Sequence, residues 1–497
     1  MIFLKRLLLG EILLLLVAAP AMAADDVTAR ALKLYEKHRY ADAAHLLHPA
    51  LAAMDANQQA AASLGLGMIY LGSAKLYRDL HQTALIIELD YLSQLSKQKT
   101  GTASHLVDFY LGQVLLEAGK TAEAITYLRR FADKAGSPLA AKAYARIELG
   151  VAYSRQNQAQ KAAQEWSGLD MKNPAIKAAL AGAYAAAGAQ EHKPVLMADA
   201  ALSDAKAQRL TPDTRMIRNL LRAYSQSGTS EKALELIASS ELKGPSYVEE
   251  LGASKAINFY DSSLLLDIAK THLRAAVFYL EQASRDAKLG ATVSYYLADA
   301  YLQQGNAELS LRAAESFLSQ AKIPPQYRNI TLVNQASANN LAGRKTAASA
   351  AWQALAENAA EDPALLAAVM HACSVVKADC KKLEARSLAA IEKGEGKKFF
   401  PLNTALGKYY LLQKDYPKAV LYMEAGRDKA NKNKIDVNNP VMLVGLSEAY
   451  YRNKKFSESL EIYFEIGKQY PVVRQIQEAM QGIYSMEQKS AGDVKIF

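Results

Sequence analysis

The sequence predicts an all-α protein made of repeated pairs of antiparallel helices. Three observations carry this. A short phrase of leucine, a small residue and tyrosine recurs along the chain: Leu149-Gly150 with Tyr153, Leu406-Gly407 with Tyr410, and Leu446 with Tyr450. Single glycines fall where the first helix of a pair should end, at Gly119, Gly188, Gly228, Gly305 and Gly343, and glycine reaches the left-handed conformation that closes a helix. No stretch sustains the alternation of apolar and polar residues that marks a strand. Composition agrees. Hydrophobic residues make up 51% of the chain and many are alanine, which favours helix and lets helices approach closely.

The elements follow in order. Lys5 and Arg6 form a basic start, Leu7 to Ala19 is an apolar run interrupted by Glu11, and Ala21-Met22-Ala23 supplies a small-x-small cleavage pattern. Residues 1–23 therefore read as a secretory signal cut before Ala24. The other reading is an uncleaved anchor, but the apolar run is short of the ~20 residues a bilayer span needs. Tyr40, Ala43 and Leu47 fit a second helix, and Leu66-Gly67 with Tyr70 opens the next unit. Leu111-Gly112 leads through Gly119 to Ala124 and Leu128. The unit at Leu149 continues through Ala162 and Trp166 to Pro174. Leu180, Tyr184 and Gly188 open a unit with a degenerate second helix, and Leu220, Tyr224, Gly228 and Ala233 give another. Residues 189–212 and 242–290 match poorly, and the second stretch contains Gly244-Pro245. Beyond it come Leu297, Tyr301, Gly305 and Phe317; then Ala348, Trp352 and Pro363; then Leu406 to Ala419; then Leu446 to Pro471. The tracts 394–398 and 431–439 read as exposed loops, and 489–497 as a frayed tail. The organisation expected is an N-terminal array over 24–241, an irregular helical bend over 242–290 and a C-terminal array over 291–488.

These residues resemble the tetratricopeptide repeat, in which leucine, glycine, tyrosine, alanine, an aromatic, alanine and proline recur at fixed offsets in about 34 residues. The tryptophan of that pattern three residues before the leucine is missing throughout, and the spacing is uneven. The resemblance implies a right-handed superhelical solenoid of roughly ten helix pairs, which acts as a scaffold for protein partners. In that family the first helix of each pair lines the concave groove. The geometry puts Arg215, Arg218 and Arg222 on one face looking into it, joined elsewhere by Arg155, Lys408, Tyr451 and Arg452. Such a groove suits a peptide with carboxylates or an acidic polysaccharide. The family's carboxylate clamp needs an asparagine where this chain has Arg222, so that clamp is not expected.

Chemistry finds little support. The glycines sit singly at helix ends and form no phosphate-binding loop, and there is no Gly-x-Ser-x-Gly elbow. No Cys-x-x-Cys-His is present, so covalent haem attachment is excluded. His45 and His48, with His38 nearby, share a helix face but lack a carboxylate or cysteine to complete a metal site. No catalytic residue, metal or cofactor is therefore assigned. The two cysteines, Cys373 and Cys380, lie about 10.5 Å apart on an unbroken helix but face each other if the chain turns at 377–379, and an exported pair favours a disulfide over two buried thiols. The formal charge of +9 is mild for this length and lacks the clustered cations of a nucleic-acid binder. The expectation is a non-catalytic periplasmic scaffold of an envelope assembly or secretion system, with exopolysaccharide export first, then pilus or outer-membrane assembly, then cytochrome maturation. The alternatives are a module that binds acidic glycan directly, or the helical accessory domain of a cell-wall enzyme.

Overall fold

The computed structural model describes residues 26–97, 103–134, 139–188, 192–226, 230–239, 262–358, 362–375, 379–393, 400–432 and 440–470, with 476, 480, 481 and 483. The expected signal at 1–23, the Gly244-Pro245 dipeptide, the loop tract at 394–398 and the tail at 489–497 lie outside them. By internal contacts the chain divides into two units. One takes residues up to Ser73 together with Ala275–Ser459; the other takes Ala74–Arg274 together with the chain from Leu460.

The described residues are helical and include no strand. In order the helices are α1 Asp26–Glu36, α2 Tyr40–Leu47, α3 Ala56–Lys97, α4 Ala103–Glu117, α5 Thr121–Ala132, α6 Leu139–Arg155, α7 Ala159–Trp166, α8 Pro174–Ala186, α9 His192–Ala207, α10 Thr214–Gln226 and α11 Ser230–Ser239. Then follow α12 Ser263–Ala283, α13 Gly290–Gln304, α14 Ala307–Leu318, α15 Pro325–Leu341, α16 Lys345–Asn358, α17 Pro363–Val375, α18 Lys381–Glu392, α19 Phe400–Leu412, α20 Tyr416–Lys432, α21 Pro440–Arg452 and α22 Phe456–Gln469. Of the 242–290 stretch expected to be irregular, residues 263–283 form one regular helix. No glycine or proline interrupts them, and their apolar residues pack on more than one side.

Within the second unit α4 pairs with α5, α6 with α7, α8 with α9 and α10 with α11, and the first helices α4, α6, α8 and α10 pack on one another in sequence. Within the first unit α1 pairs with α2, α13 with α14, α15 with α16, α17 with α18 and α19 with α20, and here too first helix follows first helix. Most first helices are buried around their whole circumference: Leu180, Ala181, Ala183 and Ala185 of α8 are all core. Second helices bury one stripe only, as Ala124, Leu128 and Phe131 do for α5. That is the pattern of a helix covered on one side and wet on the other.

The small residue of the recurring phrase is where paired helices touch. A Cβ on Gly112 would stand 2.6 Å from Leu128 Cγ, and one on Gly150 would overlap the Trp166 indole, whose Nε1 donates to the Ile147 carbonyl at 3.1 Å. Gly67 meets Leu280 and Gly72 meets Tyr40 in the same way. Turns close as expected where Gly305 holds φ 82° and its N–H returns to the Leu302 carbonyl. Elsewhere Asn157, Lys414 and Lys454 take the same left-handed position without glycine. Pro174, expected to end a helix, instead starts α8 behind an Asn173 cap. Proline fits a first turn because the N–H it lacks has no helical acceptor there.

The tyrosine of the phrase ties one pair to the next. Tyr224 donates to Asp199 at 2.9 Å, Tyr410 to Glu384 at 2.7 Å and Tyr450 to Glu424 at 2.8 Å, each acceptor lying on the second helix of the preceding pair. Tyr153 reverses the polarity and accepts from Arg129 Nε at 2.6 Å. A lysine of the tyrosine's own pair lies over each ring: Lys161, Lys232, Lys418 and Lys455. At the α17–α18 turn the Cys373 and Cys380 sulfurs lie at disulfide distance, with Cα atoms 6.1 Å apart.

Gly150→Ala forces the Trp166 indole off its carbonyl, with an expected loss of about 1–3 kcal/mol of stability. Gly290→Ala, with nothing within 4 Å of the added methyl, is the control and should leave the urea midpoint near that of the wild type.

Candidate functional site

Helix α10 carries the densest candidate chemistry, and its placement differs from the sequence expectation in one respect. Its arginines share a face because they are spaced by three and four residues, as expected. They are not open to solvent: Arg215 is 1% exposed, Arg218 5% and Arg222 8%, and residues 215–225 are all buried. Their partners belong to the chain itself. The side of α10 that carries them, called here with the adjoining residues of α4 and α6 the inner face of this unit, meets Ser263 and Asp267 at the start of α12 through Arg218 and Arg222, and Tyr144 and Phe109 through Arg215.

Arg222 Nε donates to both oxygens of Asp267, at 3.1 and 3.4 Å, and its Nη2 lies 3.9 Å from Glu117. Arg218 donates to Ser263 Oγ at 3.3 Å, to Asn219 Oδ1 at 3.2 Å and to Glu148 at 3.5 Å. Arg215 stacks its guanidinium 4.3 Å from the centre of the Tyr144 ring and 5.6 Å from that of Phe109. Such stacking desolvates a cation at lower cost than an apolar wall would. Arg155 donates to the Leu116 carbonyl at 2.5 Å and so caps the end of α4. His81 of α3 lies 3.8 Å from Glu117 and 2.9 Å from the Ser262 carbonyl, and Glu88 accepts from the Ser262 N–H at 3.3 Å. A small cavity of about 20 Å³, on the scale of one water molecule, lies beside these groups, lined by Gln113, Glu117, Glu148, Arg155, Arg218 and Ser263 among others.

Electrostatics follow from burial and neighbours. Burial alone would raise Glu117, but Arg222, then His81, Lys270 and Arg155, outweigh it and hold the carboxyl below its usual range. Burial would likewise lower Arg222, and Asp267 with the nearby glutamates keeps it charged. His272, edge-on to Tyr77 with ring centres 5.7 Å apart, is pushed down to about 4 by burial and is neutral at pH 7.

The structure brings Arg155, Arg218 and Arg222 together with three carboxylates, and sets Arg215 on aromatic rings beside them. The other candidates lie in the other unit. There Tyr451 is buried edge-on to Phe456, Arg452 lies 3.9 Å from Glu448, and Lys408 is half-buried on α19. The histidines considered for a metal do not converge: His48 packs edge-on to Tyr279, while His38 hydrogen-bonds Tyr40 at 2.9 Å. Among the described residues no group of three His, Cys, Asp or Glu could hold an ion, and no helix is long and apolar enough to cross a membrane. Sequence reasoning missed Asp267 on α12, a helix without the repeat phrase, and His81 and Glu88 on α3, which lie beyond that helix's Leu66-Gly67 and Tyr70. The available signal was Asp267, a lone carboxylate set among Leu264, Leu265, Leu266, Ile268 and Ala269.

Pairs stacked in this way define a helical-hairpin repeat protein, similar to those built from tetratricopeptide repeats. No protein-family model matches the sequence, and no curated protein matches it. Among solved structures it is similar to yeast Tom70 (12% identity over 95% of this chain and 96% of that one, TM-score 0.32), and to the Cut9 and Hcn1 hetero-tetramer of the APC/C (11%, 94% and 97%, 0.29). The tetratricopeptide domain of P58(IPK) is also similar (10%, 78% and 99%, 0.17). At these scores the whole chains superpose poorly, and the likeness says nothing of a partner.

Asp267→Leu strands Arg222, with an expected cost of about 3–5 kcal/mol. The double variant Arg222→Met, Asp267→Leu should be less destabilised than that single one in urea unfolding. The His272 pKa gives a pH slope. Its folded value lies below the ordinary 6.5, so the unfolded chain takes up the proton first and stability falls as pH drops from about 6.5 to about 4. The total is about 3 kcal/mol, and His272→Phe should flatten the slope in that window.

Proposed function

We propose that this protein is an exported scaffold that holds proteins of a bacterial envelope assembly or secretion system together. The observation that carries the reading is the hairpin stack within each unit. A pair of helices held only by its neighbours builds a long surface from short repeats, and such surfaces serve to bind extended partners. Export is supported by the basic, apolar and small-residue order of residues 5–23 and by the Cys373–Cys380 pair at disulfide distance. Exopolysaccharide secretion is the first system to test, ahead of pilus or outer-membrane assembly and cytochrome maturation. Direct capture of acidic glycan rested on open arginines, and Arg215, Arg218 and Arg222 are buried against the chain's own groups.

The test is to express the full chain with a C-terminal tag, sequence the N-terminus of the periplasmic form, and identify envelope proteins crosslinked to it. A form starting at Ala24 with a reproducible envelope partner is expected. Retention in the cytoplasm with residues 1–23 intact, or no partner above an unrelated exported control, would overturn the reading.

A further inference from the structure

The inner face of α4, α6 and α10 contacts the first turns of α12 as a receptor contacts a ligand. Ser263 and Asp267 are four residues apart, so hydroxyl and carboxylate lie on one side of the helix. Arg218 takes the first and Arg222 the second. The backbone at Ser262 is gripped at both ends: its N–H by Glu88, a carboxylate placed favourably at a helix N-terminus, and its carbonyl by His81. Leu264, Leu265 and Ile268 are buried alongside. The contact pattern is thus a hydroxyl at i, a carboxylate at i+4 and aliphatic residues at i+1, i+2 and i+5. The fit is close: a cavity of only about 20 Å³ remains beside it. The charged groups around that cavity are held by partners within the face, Glu117 by Arg222, Glu148 by Arg218 and Arg155 by the Leu116 carbonyl.

We propose that this inner face is a receptor for an amphipathic helix of that pattern, and that the chain's own Ser263–Arg274 segment holds it shut until a partner helix competes for Arg218 and Arg222. This rests on the scaffold reading and names the chemistry of the partner. The segment is an internal ligand whose affinity sets a threshold: a partner must match the Ser263 and Asp267 contacts to gain entry. A ligand seen only by the open form binds more weakly by the fraction of time the form is open.

The probe is a labelled synthetic peptide of residues 262–274, SSLLLDIAKTHLR, with an Asp267→Asn peptide as control. It is titrated by fluorescence anisotropy against the full-length protein and its Asp267→Asn variant. The wild-type peptide is expected to bind the variant at least tenfold tighter than the wild-type protein, and the control peptide to bind the variant at least tenfold more weakly. Equal affinity for both proteins, or none for either, overturns the proposal. Should the variant fail to fold by circular dichroism, hydrogen exchange on the wild-type protein decides. Amides of 263–274 are expected to exchange through a local opening, faster than those of 215–226. Exchange of both only on global unfolding marks the segment as permanent core and overturns the proposal. Failure here with an envelope partner still captured leaves the scaffold reading intact with its surface elsewhere. Peptide binding with no envelope partner leaves the receptor and removes the scaffold.

Discussion

The constraint on which the rest depends is how near two paired helices come. At Gly112, Gly150 and Gly407 one helix lies so close to its partner that even a methyl group has no room. The gap is filled from the other side by Leu128, Trp166 and Met423. Close approach has two consequences. It turns a weak preference for helix into a fixed pair, because buried contact rather than propensity supplies most helical stability in proteins. It also fixes the direction in which the next first helix leaves. The tyrosine one turn on then reaches back to the preceding pair, as Tyr410 does to Glu384 and Tyr450 to Glu424. Repulsion at one spot and a hydrogen bond at the next thus set the stacking together.

Burial of three arginines on α10 follows from the same geometry. First helices face one another and whatever covers them, so a charge on that face has no water to meet and must find a partner within the unit. Each has one: Asp267 with Glu117 for Arg222, Glu148 with Ser263 for Arg218, and the Tyr144 and Phe109 rings for Arg215. Such pairs add little net stability, because desolvating both charges offsets most of their attraction. The sign of their contribution changes with completeness. Intact, the cluster is close to neutral; with one member removed, the remaining charge is buried alone.

Much of the fold was legible in the sequence because its signals are local. The Leu-Gly-x-x-Tyr phrase, the glycine at Gly305 and the alanine stripe of α8 each report on neighbours within a few turns. The candidate site was legible in part. Spacing put Arg215, Arg218 and Arg222 on one face correctly, since that depends only on helical period. Their exposure was misread, since Arg218 and Arg222 meet α12, some 45 residues away and without the repeat phrase, and Arg215 meets rings of α4 and α6 more than 70 residues before it. Asn157 and Lys414 at left-handed turns were missed for a related reason: the repeat geometry imposes φ there and overrides the residue's own preference.

The buried charges also bear on register. Leu264, Leu265 and Ile268 of α12 are buried, and aliphatic contact, being non-directional, separates neighbouring registers only weakly. One turn along α12 is about 5.4 Å. A slip by that distance would carry Asp267 away from Arg222 and set Ser263 or Thr271 in its place, leaving a buried guanidinium without its carboxylate. The cost of that mismatch is several kcal/mol, far above the difference between neighbouring aliphatic packings. A cluster that contributes little to net stability therefore selects one register strongly. That selectivity does not depend on whether the helix with the carboxylate belongs to this chain or to another.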